Sequence, residues 1–281
     1  MHFRPSVTAR AALRRVVRSS LPRPSAAVSA AEELRQGGVW AAVGAEIRWA
    51  FTPPRAWLSG VAVNLALSLA WLLVQPLHAE RHRDWVVLVG TYFSSFILAD
   101  VTTTNVLGVD NVRVVKALRD GAPLWRILLA KNTALLVIVG LPTLIAAVVL
   151  TLATEPAARL WVTIPDVALP ILSWLGVGNL VSVVFPVSYE PLVRRWRQRA
   201  DLRRTLGWLA HLALPYGLFY LADPIYGAPR TFLWHDLPAV LGPALGPAAR
   251  SLSHVVAGLV IWLAGIAAAE TYVRLYGLHV V

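Results

Sequence analysis

The sequence predicts an all-α polytopic membrane protein with six transmembrane helices, both termini cytoplasmic, and an amphipathic interfacial helix before the first span. Three observations carry this reading. The 281 residues are 57% hydrophobic and only 15% charged, with a mean hydropathy of +0.60, where a soluble domain carries about 25% charged residues. Six segments are each apolar over roughly the 20 residues that a helix needs to cross a bilayer. The basic residues gather in alternate connectors, as expected when those connectors stay in the cytoplasm.

The N-terminal stretch 1–28 is basic, with Arg10, Arg14, Arg15 and Arg18 on a short helical pattern. It lacks a long apolar core, so it reads as a flexible arm rather than a cleaved signal. Residues 29–281 read as a single membrane domain. Within 29–51, Leu34, Trp40, Val43, Ile47 and Ala50 with Phe51 fall near one helical face, and Glu32, Glu33, Arg35, Glu46 and Arg48 occupy much of the rest. This pattern predicts a helix lying along the cytoplasmic surface. Ser29 with Glu32 resembles a capping box, Gly37 and Gly38 are a candidate break, and Pro53 and Pro54 stop the helix.

The spans are predicted near 56–77, 85–105, 133–154, 166–187, 205–222 and 251–273. They are too long for strands, and the wholly apolar ones lack a polar face. The connectors 106–132 and 188–204 are heavily basic, whereas 78–84, 155–165 and 223–250 carry few or balanced charges. Six crossings from an inside N-terminus place every basic connector in the cytoplasm. Segment 223–250, "DPIYGAPRTFLWHDLPAVLGPALGPAAR", is too rich in Pro and Gly for one helix and too apolar for a solvated loop. It predicts a re-entrant outer segment covered by protein. Trp57, Trp85, Trp161, Trp208 and Trp234 lie near span ends and are expected as interfacial anchors.

Several chemistries are excluded. The chain has no cysteine, which removes disulfides, thiolate metal sites and cysteine nucleophiles. It has no Walker loop, no G-x-G-x-x-G after a strand and no H-E-x-x-H. The seven histidines are scattered, and His78 with His82 flanks a short outer loop without further metal ligands. The net charge of +11 and pI near 10.9 match nucleic-acid binders, but the hydropathy does not, so no nucleic-acid partner is expected. No catalytic residue and no metal site are assigned.

Polar residues inside the spans are the remaining candidates. Asn64, Asp100, Asn105, Asn179, His211 and Glu270 are expected either to bond between helices or to line a translocation path. Asp100 and Glu270 sit near cytoplasmic span ends, where a local Arg or Lys can satisfy them.

The connector carries the most specific pattern. "NVLGVDNVRVVKALRDGAPLWRILLAKNTALLVI" resembles the segment after the second span in type-2 ABC exporter permeases, through Asn105, Gly108, Asp110, Pro123, Arg126 and Lys131. "WLGVGNLVSVVFPV" at 174–187 resembles a second family segment through Asn179, Ser182 and Pro186. Ala130 departs from the glycine usual before that lysine, and the arm 1–28 lies outside the pattern. The resemblance implies an exporter of an amphiphile (a lipid, glycolipid or hydrophobic drug) in a bacterial plasma membrane. It implies ATP and Mg bound by a separate ATPase subunit, and a second permease chain, identical or paralogous. The chain is then not an enzyme by itself. It also implies that the connector is a coupling helix for that ATPase, with Asp110, Arg113, Arg119, Asp120, Leu124, Trp125 and Arg126 as contacts. Aromatics and arginine are enriched in such interfaces.

Three alternatives stand beside it. A lipid-import permease would explain "VLGVD" but not "GNLVSVVFP". A membrane enzyme acting on a lipid-linked substrate would need an acid/base cluster, and His78, Glu80, His82, Asp84, Asp223, His235 and Asp236 form no known spacing. A non-catalytic scaffold is the third.

Overall fold

The computed structural model describes residues 37–53, 55, 57–58, 61–62, 65–66, 104–186, 200–203, 205–207, 209–210, 213, 231–237, 239–240 and 249–278. Among these, every regular element is helical and no strand occurs. The order is α1 (Val39–Ala50), α2 (Asn111–Arg119), α3 (Leu124–Leu135), a π turn (Leu136–Gly140), α4 (Leu141–Thr154), a 3₁₀ turn (Ala157–Arg159), α5 (Leu160–Val184), a π turn (Phe232–Asp236) and α6 (Ala249–Tyr276). Three helical stretches are long and apolar enough to cross a membrane: Leu124–Thr154, Ala157–Val184 and Ser251–Tyr276. The arm 1–28 and most of the predicted spans 56–77, 85–105 and 205–222 lie outside the described residues, as does much of segment 223–250.

The three observed spans correct the predicted boundaries. The third was expected from 133, because Arg126 and Lys131 interrupt the apolar run. The helix instead starts at Leu124 and absorbs both charges. Pro142 has no N–H to give to the carbonyl four residues earlier. The π turn immediately before it widens the helix at that point, a common solution inside long helices. The fourth was expected from 166, yet α5 starts at Leu160 and contains Pro165 and Pro170. Pro165 frees the carbonyl of Trp161, and the Ser251 hydroxyl of α6 donates to that oxygen at 2.5 Å. Pro165 is therefore tolerated inside the helix because a neighbour takes up the freed acceptor.

α5 is the innermost span, with buried residues along its whole length. Its tightest contact is with α6, where two glycines meet. A Cβ added to Gly265 would lie 2.1 Å from the Gly176 carbonyl oxygen, and one added to Gly176 would lie 2.4 Å from the Ile261 oxygen. The backbones themselves are in contact, as small residues permit in membrane helices. Polar pairs add to this packing. Asn132 Nδ2 donates to Asn179 Oδ1 at 2.9 Å, and Thr151 donates to Thr163 across α4 and α5 at 3.2 Å. His254 Nδ1 lies 2.5 Å from Asp166 Oδ1, with both side chains buried.

α1 begins directly after Gly38, and residues 29–36, the first part of the predicted helix, lie outside the described residues. Its faces are not those expected. Ala42, Val43, Ala45, Glu46 and Ala50 are buried, while Trp40 is 78% exposed. Glu46, read from the sequence as part of the polar face, points into the protein. Trp57 was expected as an interfacial anchor and is instead fully enclosed, whereas Trp161 is exposed at the start of α5 as predicted.

Candidate functional site

The connector 104–123 is built by local chemistry. Residues 105–110 form a turn in which the Val109 N–H bonds the Asn105 carbonyl at 3.1 Å. α2 follows and stops at Gly121, whose φ of +88° suits a residue without a Cβ. The Ala122 N–H reaches the Ala117 carbonyl at 2.9 Å and the Gly121 N–H reaches Leu118 at 3.1 Å. This 6→1 and 5→2 pair is the Schellman arrangement that satisfies terminal carbonyls. Pro123 then precedes α3. The predicted break at Asp120-Gly121-Ala122-Pro123 is therefore a shaped reversal between two helices.

Beneath it lies a buried cluster of four charges. Arg113 of α2 reaches Glu46 of α1 at 2.8 Å and Asp110 at 2.8 Å. Lys131 of α3 reaches Glu46 at 2.9 Å and Asp110 at 2.8 Å. All four side chains are at most 5% exposed. Two acids and two bases leave no net formal charge. The rings of Trp49 and Trp57 meet edge to face at 5.2 Å. Arg113 lies 5.0 Å from the Trp49 ring centre, and Lys131 lies 5.1 Å and 5.3 Å from those of Trp49 and Trp57. The aromatic faces thus replace part of the water each cation has lost.

The carboxyls respond differently. Burial is the largest influence on Glu46 and opposes its charge, but Lys131 and Arg113 together outweigh it and hold the group below its ordinary value. At Asp110 burial is again the largest influence, and the neighbouring Glu46 charge adds to it. These outweigh Lys131 and Arg113, so the group is raised. Removing one member of such a cluster leaves an uncompensated buried charge, worth about 3–5 kcal/mol. The cluster therefore fixes α1, the 105–110 turn, α2 and α3 in one arrangement.

A second tie reaches the same corner from the last helix. The first N–H groups of α3 have no intrahelical acceptor. Glu270 of α6 accepts the Trp125 N–H at 2.9 Å, and its other oxygen accepts from Arg274 at 3.1 Å. A carboxylate at a helix N-terminus is electrostatically favoured. The expected local partner for Glu270 is thus Arg274.

The seven connector residues predicted as contacts divide into two sets. Asp110, Arg113 and Leu124 are buried and face inward, because the cluster and the core claim them. Arg119, Asp120 and Trp125 are exposed, and Arg126 is half-buried. Val112 joins the exposed set at 70%, with Trp125 at 44%. Lys116 pairs with Asp120 at 2.6 Å. The reversal thus exposes Arg119, Asp120 and the Trp125 indole, and the first turn of α2 exposes Val112.

Of the six intramembrane candidates, Asn64, Asp100 and His211 lie outside the described residues. Asn105 is buried beside the turn. Asn179 accepts from Asn132, and its own amide nitrogen is buried without a hydrogen-bond partner. The sequence reading did not single out Glu46, Lys131, Asn132 or Asp166 as site residues. Lys131 carried a signal, as one of two lysines in the chain. Among the described residues no three His, Asp or Glu side chains gather as metal ligands.

Comparison with protein-family models, curated proteins and solved structures finds no match for this chain.

Proposed function

We infer that this chain is the membrane subunit of an ATP-driven exporter of an amphiphilic substrate, paired with a second permease chain and a separate ATPase. The observation that carries this reading is the exposed Trp125 beside Arg126 at the start of α3, directly after the reversal that carries exposed Arg119, with a buried four-charge cluster tying α1, α2 and α3 together. A loop that served only to set membrane orientation would need basic residues but no Schellman reversal, no buried cluster beneath it and no projecting indole. The resemblance to type-2 ABC exporter permeases, through Asn105, Gly108, Asp110, Pro123, Arg126 and Lys131, supports the same conclusion.

In this reading the chain has six spans with both termini in the cytoplasm of a bacterial cell. ATP and Mg are bound by the ATPase alone. Movement of the ATPase displaces the 119–126 reversal. The four-charge cluster transmits that displacement to α1, Glu270 transmits it to α6, and the continuous helix from Leu124 transmits it across the bilayer. The amphiphile moves along paths that these displacements open between chains.

The tagged chain, isolated in mild detergent, is expected to bring down an ATPase that hydrolyses ATP in the complex. An intact preparation with no ATPase and no turnover removes the reading. Changing Trp125 and Arg126 together to Ala is expected to lower recovery of the ATPase while membrane insertion stays normal, because exposed side chains carry little stability. Equal recovery from the variant would place the contact elsewhere.

A further inference from the structure

The four-charge cluster also fixes where α1 sits relative to the bilayer. The helix Leu124–Thr154 has 31 residues and is about 46 Å long at 1.5 Å per residue. A hydrocarbon core is about 30 Å thick. Residues 133–154 contain no charged side chain and account for about 33 Å. The stretch 124–132, with Arg126 and Lys131, is therefore left at headgroup level. Glu46 binds Lys131, so α1 lies at that same level.

The face that α1 turns away from the protein is composed in a particular way. Trp40, Gly44, Arg48 and Phe51 follow one another at spacings of four, four and three, which is one side of a helix. Trp40 is 78% and Phe51 54% exposed, and Arg48 is exposed beside them. Arg55 follows, also exposed. Its backbone φ is +56°, and its Nε donates to the Phe51 carbonyl at 3.2 Å, which folds it back against the end of the helix. Glu46 is the one acid between residues 39 and 55, and it is turned inward and already paired. The outward face of residues 39–55 is thus aromatic and cationic.

We propose that this face of α1 is a docking surface for anionic phospholipid headgroups. Trp40 and Phe51 enter the headgroup–acyl boundary, as amphipathic aromatics do, and Arg48 and Arg55 engage phosphate oxygens. The surface does not depend on the identity of any ATPase. It makes α1 sensitive to lipid composition, and the buried cluster passes that sensitivity to the connector.

The absence of native cysteine permits a direct test. Gly44 lies in the middle of the face, and a Cβ there would meet only Arg48 Nη1 at 3.5 Å. The full chain with Gly44→Cys is spin-labelled and placed in nanodiscs of phosphatidylcholine, or of phosphatidylcholine with phosphatidylglycerol. Collision rates with oxygen and with a water-soluble nickel chelate are then compared. The expected result is a label reached better by oxygen than by nickel, shifting further toward oxygen when phosphatidylglycerol is present. Preferential access by nickel in both discs would mean that the face is in water. Shielding from both reagents would mean that protein covers it. Either overturns the proposal. Arg48→Gln with Arg55→Gln is expected to abolish the difference between the two lipids, and a difference that persists overturns the anionic preference. Retention of phosphatidylglycerol by the purified chain in native mass spectrometry provides a second readout, expected to fall in the same double variant.

Discussion

The α1–α3 corner and the α5–α6 crossing hold helices together by opposite means. At the corner, four charged side chains and two indoles fill the space between helices. At the crossing nothing fills it, because Gly176 and Gly265 bring backbone onto backbone. The corner lies where the helix exceeds the hydrocarbon thickness, so its charges are close to water before they pair. The crossing lies in the apolar part of both spans, where an unpaired charge is costly and close packing is the main source of cohesion. The Asn132–Asn179 bond marks the boundary between these regimes, joining the first uncharged level of α3 to the C-terminal part of α5.

The sharpest break in this comparison comes from bulk. Gly265→Leu would drive a side chain into the Gly176 carbonyl, with no flexible neighbour able to yield. The expected effect exceeds the about 1–3 kcal/mol usual for overpacking, read as loss of monodisperse protein in size-exclusion chromatography. Gly44→Ala, at a half-buried helix position where a Cβ would meet only the end of the Arg48 side chain at ordinary contact distance, is the matched control. It is expected to be neutral or stabilising by up to about 1 kcal/mol. If Gly265→Leu behaves like Gly44→Ala, the crossing is looser than described.

Charge removal tests the other region. Lys131→Met leaves two carboxylates sharing Arg113 alone, with one buried negative charge uncompensated, and is expected to destabilise by about 3–5 kcal/mol. Adding Glu46→Gln to it is expected to cost less than the sum of the two single changes, because both act on one network. Strict additivity in thermal unfolding would show that the four groups act separately.

The smallest effect is a pH dependence confined to the corner. Glu46 is held below its ordinary 4.5. It therefore contributes stability above that value, and the contribution is lost as pH falls through its folded value. Asp110 is raised above 3.8. Its folded form binds a proton more tightly, so its contribution is present below 3.8 and is lost as pH rises through its folded value. The two slopes oppose each other. Asp110→Asn is expected to steepen the loss of unfolding temperature on acidification, and Glu46→Gln to remove it. The same slope in both variants would contradict the assignment.

Hydropathy revealed the three helices that are long and apolar enough to cross a membrane, because twenty apolar residues need no tertiary knowledge to interpret. The reversal at 120–123 was also legible, since Gly and Pro act through local backbone geometry. Glu46 was not legible. Its partner Arg113 is 67 positions away, and helical periodicity treats any carboxylate as a solvated one. Trp57 was misplaced for a related reason. An indole beside a span end suits lipid and buried cations equally, and only the folded arrangement of Lys131 decides between them. Asp166 fell at the predicted edge of the fourth span, whereas the helix starts at Leu160 and carries Pro165 within it. The hydroxyl that makes Pro165 tolerable belongs to α6, whose position no local pattern reveals. For the connector, sequence identified the residues but not their direction. Arg113 and Arg119 lie two turns apart on α2 and point to opposite destinies, one to Glu46 and one to solvent.

The contact between Gly176 and Gly265 has a further consequence for permeation. A seam with no room for a methyl group has none for a solute. While that crossing holds, α5 and α6 form a sealed wall that moves as one panel. In the proposed exporter, a lateral opening for the amphiphile therefore belongs at another boundary, along the outer faces of α4 or α6 where Ile145, Val149, Val256 and Val260 are exposed.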